Sequence, residues 1–303
     1  MKHNACIHII SSRSKCIKLC LQSIYDCYNR KYDYPIYVHY FDSIYDDEKF
    51  REDIAKTVSP HITFISIPYK TPSHIPEKEL FYNRTNLEYV RKSFPIKRKG
   101  YLHMCNFMIN FYGYPNTRFI QHDYAMSLDD ESNFVKEMDY DFFEVMAGRP
   151  EDMGALKITD RKIKKIHQGH LDTRVELWNL VKSYIAQNNI TPKCPFLSNI
   201  YNNMDINSKE AEWEFHQFPI ADSYVIKLKM FTQPFWKNWV KTVNDFGGVY
   251  KYRWGDCDIN TLGYLIHYDH HVYDLKTVDQ GYHNQSGLRG IQDIAPNIRN
   301  LDA

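Results

Sequence analysis

Arg253-Trp254-Gly255-Asp256 places a cation, an indole and a carboxylate around a turn glycine. An ionised carboxylate in apolar company is costly unless it is paired or hydrogen-bonded. Two readings follow for these residues. Asp256 and Arg253 hold a polar ligand or a reacting group, or they form a structural ion pair with Trp254 as core filler. An apolar segment then separates Asp256 from Asp279-Gln280-Gly281-Tyr282-His283. It is long enough for a helix, a strand and a turn that return His283 to the same site. His267, Asp269, His270 and His271 make a second imidazole and carboxylate cluster. By spacing it reads as a metal site or as a polar turn. Asp256 and Asp258 with that cluster also admit a hydrolase reading, since two carboxylates can cleave a glycoside.

The elements that must carry these residues are read from periodicity and breakers. Ala5–Ile10 is an apolar strand, and Ser11-Ser12-Arg13-Ser14 supplies N-caps for a helix over Lys15–Asn29. Ile36–Phe41 is a second strand, giving a strand–helix–strand unit of the length of a parallel crossover. Phosphates favour the C-terminal edge of such a sheet, where Arg13 lies in sequence. Ile62–Ile67 is a third strand, Pro68–Pro76 a loop and Glu77–Lys92 a surface helix. Gly100–Tyr112 puts Tyr101, Met104, Cys105, Met108 and Tyr112 on one helical face. Thr117–Tyr124 reads as a strand running into Gln121-His122-Asp123. Met153–Ile158 is a strand, Asp172–Gln187 an amphipathic helix, and Met230–Asn244 a helix closed by Gly247-Gly248. The fold class expected is α/β, a Rossmann-type mixed and mainly parallel sheet in one domain over residues 4–285, with a polar tail over 286–303.

Composition narrows the function classes. Thirty-eight Lys and Arg against 37 Asp and Glu give a formal charge of +1, which offers nothing to a nucleic acid. No apolar run reaches the roughly 18–20 residues of a membrane span. The N-terminus has too short an apolar part for a signal peptide. These features lead to the expectation of a cytoplasmic chain, or of a catalytic domain whose anchor is missing or supplied by a partner. Seven cysteines without paired spacing and without CxxC read as thiols.

Several segments together resemble glycosyltransferase family 15, the fungal α-1,2-mannosyltransferases of GT-A fold. They are Asn29-Arg30-Lys31-Tyr32-Asp33-Tyr34-Pro35, Tyr101-Leu102-His103-Met104-Cys105, Asp139-Tyr140-Asp141, Glu176-Leu177-Trp178, Arg253-Trp254-Gly255-Asp256 and Gly281-Tyr282-His283. The resemblance implies retaining transfer of a hexose, mannose from GDP-mannose, to a sugar hydroxyl of a glycan or glycoprotein. It implies Asp256 and Tyr101 at the catalytic centre and Arg13, Asp123 and Arg253 on the donor. It also implies Mn²⁺ or Mg²⁺ held by Asp123, Gln121 and His283. The family has Glu-Pro-Asp where Gln121-His122-Asp123 is placed, so the amide predicts a weakened metal site. The family's C-H-F-W-S-N-F-E-I block matches either Cys194–Ile200 or Gln217–Asp222, and its Glu then falls on Tyr201 or Pro219. These departures leave a second expectation open, a binding protein of the same fold that has lost turnover.

Overall fold

The protein is described by a computed structural model over residues 2–11, 14–41, 45–68, 71–83, 99–111, 121–159, 171, 173–276 and 281–283. The strands are β1 (Ala5–Ser11), β2 (Ile36–Tyr40), β3 (Ile62–Ser66), β4 (Tyr124–Asp129), β5 (Asn133–Phe134), β6 (Met153–Thr159), β7 (Ile220–Lys227), β8 (Tyr273–Asp274) and β9 (Tyr282–His283). The first three, with β4, β6, β7 and β8, form a seven-stranded sheet in the order β3-β2-β1-β4-β7-β6-β8, and β5 pairs with β9. β1 is parallel to β2 and β4, β2 to β3, and β6 to β8; β7 is antiparallel to both of its neighbours. The sheet is therefore mixed and mainly parallel, as expected.

Every residue of β1 is buried, the pattern of a central strand covered on both faces. Ala5, Ile7 and Ile9 face one core with Ile17, Cys20, Leu21 and Ile24 of helix α1 (Ser14–Ile24). Cys6 and Ile10 face the other core. That core holds Leu102, Cys105 and Met108 of α2 (Lys99–Asn110), with α3 (Leu177–Gln187), α4 (Pro234–Phe246) and α5 (Asp256–His267). The cysteines at positions 16 and 20 are core residues, and no disulfide joins the described cysteines.

Several expected elements differ from the periodicity reading. The helix expected over Asp172–Gln187 begins at Leu177, after a left-handed Glu176, and the one expected over Lys15–Asn29 is α-helical to Ile24 and π-helical over Tyr25–Asn29. Pro234 splits the Met230–Asn244 helix into Lys229–Thr232 and α4, because the residue before a proline is driven out of the helical region; Gln233 has ψ 142°. Glu77–Lys92 begins with the short 3₁₀ turns Glu77–Glu79 and Phe81–Asn83, and its remainder lies outside the described residues.

Two of the resembling motifs turn out to be braces. The Asn29 side chain accepts from the Tyr34 N–H and donates to the Tyr34 carbonyl, both at 2.8 Å, across a turn in which Asp33 is left-handed. Tyr28 and Tyr34 hydroxyls then both donate to Asp141, at 2.8 and 2.6 Å. Asn29–Pro35 and Asp139–Asp141 thus tie the π-helical turn Tyr25–Asn29 that follows α1 to the start of the helix Phe142–Ala147.

Candidate active site

The Arg253–Asp256 segment is shaped by packing before chemistry. α4 ends at Gly247 with φ +76°, a left-handed cap that suits glycine. Trp254 is fully buried, stacks on Phe246 at 5.2 Å and donates from Nε1 to the Val175 carbonyl at 3.0 Å. A Cβ on Gly248 would lie 2.2 Å from the Trp254 ring, so that glycine makes the slot. Arg253 takes φ +65° and lies over the Tyr101 ring, 4.1 Å from its centroid. The Trp254 reading as core filler is thus correct, while the cation stacks on the tyrosine of α2.

Asp256 opens α5 and is 8% exposed. Burial pushes its pKa up to about 6, against the opposing pull of the Cys105 thiol and the N–H groups at the helix start. Tyr101 and Cys105, one turn apart on α2, face it together. The Cys105 neighbour, burial and the Asp256 charge hold the Tyr101 phenol well above its ordinary value. The sequence reading of Asp256 and Tyr101 as neighbours agrees with this geometry.

The acidic strand end is not where the sequence suggested. β4 begins at Tyr124, after Gln121-His122-Asp123, and its register pairs Tyr124 with Ala5 and Asp129 with Ile10. The Asp123 N–H donates to the Asn4 carbonyl at 2.8 Å, and the Gln121 carbonyl accepts from Asn4. Gln121 and Asp123 therefore sit at the N-terminal edge of the sheet. At about 3.3 Å per residue they are roughly 20 Å from its C-terminal edge. This corrects their assignment to the metal and Asp123's to the donor, and removes the basis for a weakened metal site. The strand that ends in acids is β4 itself, running into Asp129, Asp130 and Glu131. Asp130 accepts from Ser11 Oγ at 2.7 Å at the end of β1. His283 is brought to this edge: β9 pairs with β5, four residues past Asp129, with Asn133 opposite His283. Arg13 lies outside the described residues.

A further carboxylate completes the group. β4 and β7 pair Ser127 with Tyr224 in antiparallel register, and two residues farther on this direction leads to Asp129 and Asp222. Thr159 Oγ1 donates to Asp222, and Lys157 Nζ lies 3.9 Å from the same carboxylate. Burial first, then the charges of Asp256, Asp222, Asp129 and Asp258, push the Cys257 thiol well above its ordinary value. Those carboxylates therefore share one region at the sheet's edge. The sequence reading put the family block's Glu at Tyr201 or Pro219. Tyr201 is instead on the helix Pro195–Asn203, and Pro219 precedes β7.

The His267–His271 cluster is a polar turn. His267 contacts the Tyr184 hydroxyl at 3.0 Å, His270 pairs with Asp269, and His271 lies 3.8 Å from the Cys194 sulfur. Among the described residues no three His, Cys, Asp or Glu side chains are already gathered as a metal centre. No helix of the described residues is long and apolar enough to cross a membrane.

Comparison with known proteins gives this site a family. The sequence model of the Glycolipid 2-alpha-mannosyltransferase family matches residues 1–289. The chain belongs to this family. A Candida albicans relative named "Probable mannosyltransferase MNT3" is 27% identical over 297 residues, covering 92% of this chain and 69% of the relative. A Saccharomyces cerevisiae glycolipid 2-alpha-mannosyltransferase is 23% identical, covering 94% and 64%. The chain thus spans roughly two thirds of the length of these mannosyltransferases. The solved core-mannan synthase A of Aspergillus fumigatus, in a Mn/GDP form, superposes with a TM-score of 0.74 at 16% identity, covering 93% of this chain and 74% of that one. The S. cerevisiae mannosyltransferase Ktr4p in complex with GDP gives 0.74 at 17%, covering 94% and 71%. Those two likenesses show a shared GT-A-like fold.

Proposed function

We propose that the chain is a retaining α-mannosyltransferase, of α-1,2 type, that transfers mannose from GDP-mannose to a hydroxyl of a glycan or glycoprotein. The observation that carries this reading is the buried Asp256, its pKa raised to about 6, in one region with Asp222 and Asp129. A carboxylate titrating that close to neutrality is suited to accept the acceptor hydroxyl's proton. Asp222 serves as the negative charge facing the developing positive charge at the anomeric carbon. Thr159 donates a hydrogen bond to it and Lys157 lies beside it. Tyr101, stacked under Arg253, orients the donor sugar, and the Arg253 guanidinium offers charge to the diphosphate.

An excess of carboxylates at the sheet edge suits a hard divalent cation. Asp129, Glu131 and His283 offer oxygen and imidazole donors of the kind that hold Mn²⁺. The solved A. fumigatus relative is in a Mn/GDP form, which supports the same cation here. When bound, it would neutralise the leaving diphosphate. The alternative of a binding protein without turnover rests on Gln121 and a missing acid; Gln121 at the far edge of the sheet and the role proposed for Asp222 count against it. The test is a thermal-shift screen of GDP- and UDP-sugars with and without Mn²⁺, followed by an assay of mannose transfer. GDP-mannose should raise the melting temperature only with metal, and UDP-sugars should not. A metal-independent shift, or a preference for UDP, would overturn the proposal.

A further inference from the structure

Arg174 is buried to 1% exposure beside the site, a costly place for a guanidinium. Nη2 donates to Asp258 Oδ1 at 2.5 Å and Nη1 donates to the His216 carbonyl at 2.6 Å. Its Cζ lies 4.3 Å from the centroid of the Phe218 ring. Apolar residues could fill such a position at no loss of stability, and often with a gain. The three contacts explain the charge better through what they join.

Asp258 belongs to the first turn of α5, two residues after Asp256. His216 and Phe218 lead from the helix Lys209–Phe215 into β7, which carries Asp222. The next residue, Val175, receives the Trp254 indole. Asp258 also folds back over the chain, its Oδ2 only 3.3 Å from where a Cβ on Gly255 would stand. One planar head thus ties the segment bearing Asp256 to the segment bearing Asp222. Lysine donates from one atom and lacks the fixed spread of Nη1 and Nη2 that spans these two acceptors.

We propose that Arg174 is a positioning residue of this enzyme: through Asp258 and the His216 carbonyl it fixes Asp256 relative to Asp222. The inference rests on the roles given to those two carboxylates above. Arg174 also neutralises Asp258, whose charge acts on Asp256. The other titratable groups around Asp256 are Cys105 and Tyr101 from α2, Arg253 and Cys257 from its own segment, and Tyr224 from β7, with Asp222 of β7 and Asp129 of β4 in the same region.

The test measures kcat, KM for GDP-mannose, GDP affinity and the pH profile of kcat in Arg174→Lys, Arg174→Met and Asp258→Asn, beside Asp256→Asn. Arg174→Lys should lower kcat about 10- to 100-fold, the effect of a misplacement near 1 Å, with GDP affinity and donor KM within about twofold. Arg174→Met leaves Asp258 bare, so the acidic limb of kcat should move to higher pH. Asp258→Asn removes that charge but keeps an acceptor for the guanidinium, so the limb should move to lower pH. A merely structural pair would not shift the limb in opposite directions. If Asp256→Asn abolishes the limb while the Arg174 and Asp258 variants leave limb and kcat unchanged, the positioning role is overturned and the reading of Asp256 stands. If the limb persists in Asp256→Asn, that reading falls and this proposal with it. Should Arg174→Met not fold, Asp258→Asn decides alone, and an unmoved limb rejects the proposal.

Discussion

Metal affinity separates the two acidic sites residue by residue. Asp129, at the C-terminal end of β4, and His283, on the strand paired beyond it, are the proposed ligands. Asp129→Asn and His283→Ala should each weaken Mn²⁺ binding by roughly tenfold or more, measured calorimetrically with GDP present. Asp123→Asn and Gln121→Glu, at the far edge of the sheet, should leave it unchanged. The reverse pattern would restore the Gln121–Asp123 assignment. That assignment failed for a definable reason. Of the expected strand Thr117–Tyr124, residues 117–120 lie outside the described residues and Tyr124 alone falls in β4; alternation alone does not say where a strand begins. The run Ala125-Met126-Ser127-Leu128 followed by three acids was the better signal. Arg174 had no local signal at all, because its partner Asp258 is distant in sequence and only the fold joins them.

The element that matters most to the site is the joint from α4 to α5, held by Trp254 in a slot that Gly248 leaves open. Gly248→Ala would put a methyl 2.2 Å from the Trp254 ring. Overpacking of this kind costs about 1–3 kcal/mol, and the displaced joint would carry Asp256 with it. The expected outcome is a lowered urea midpoint together with a larger proportional loss of transfer; retained transfer and stability would show that the joint tolerates movement. The joint was legible in sequence, since Gly247-Gly248 and the Arg253–Asp256 cluster are local signals. So was the β1–α1–β2 unit, with its apolar strands and serine caps. The course of the chain into β7 was not. Asp222 matches no motif position in the sequence, and only the antiparallel pairing of β7 with β4 brings it level with Asp129.

Across the whole molecule, burial sets a pH dependence apart from the site. His8 on β1 and His39 on β2 are buried with ring centroids 4.7 Å apart, against Phe107. Burial lowers the His8 pKa to about 3, and burial with the His8 charge lowers that of His39. A folded pKa below the unfolded value means that the unfolded chain binds more protons. The stability is therefore full above the unfolded pKa of about 6.5 and is lost as pH falls toward the folded value. Each such histidine contributes a slope of up to about 1.4 kcal/mol per pH unit. His8→Leu should flatten the decline of the urea midpoint between about pH 6.5 and 4.5, whatever it does at pH 8; an unchanged slope would refute this account of acid sensitivity.

Asp256 reverses that sign, and so supplies the most direct test of the central claim. Its folded pKa of about 6 lies above the ordinary carboxylate value. Its contribution to stability is present below the unfolded pKa and lost as pH rises through about 6, so at pH 8 the ionised group opposes folding. Asp256→Asn removes that charge with little change of shape. Mannose transfer and melting temperature of the ligand-free protein, measured together at pH 8, should therefore part company. Transfer should fall by about 10²–10⁴-fold, while stability rises by on the order of 2–3 kcal/mol. Near-normal transfer with a lowered melting temperature would contradict the account and return Asp256 to the role of a structural ion-pair partner.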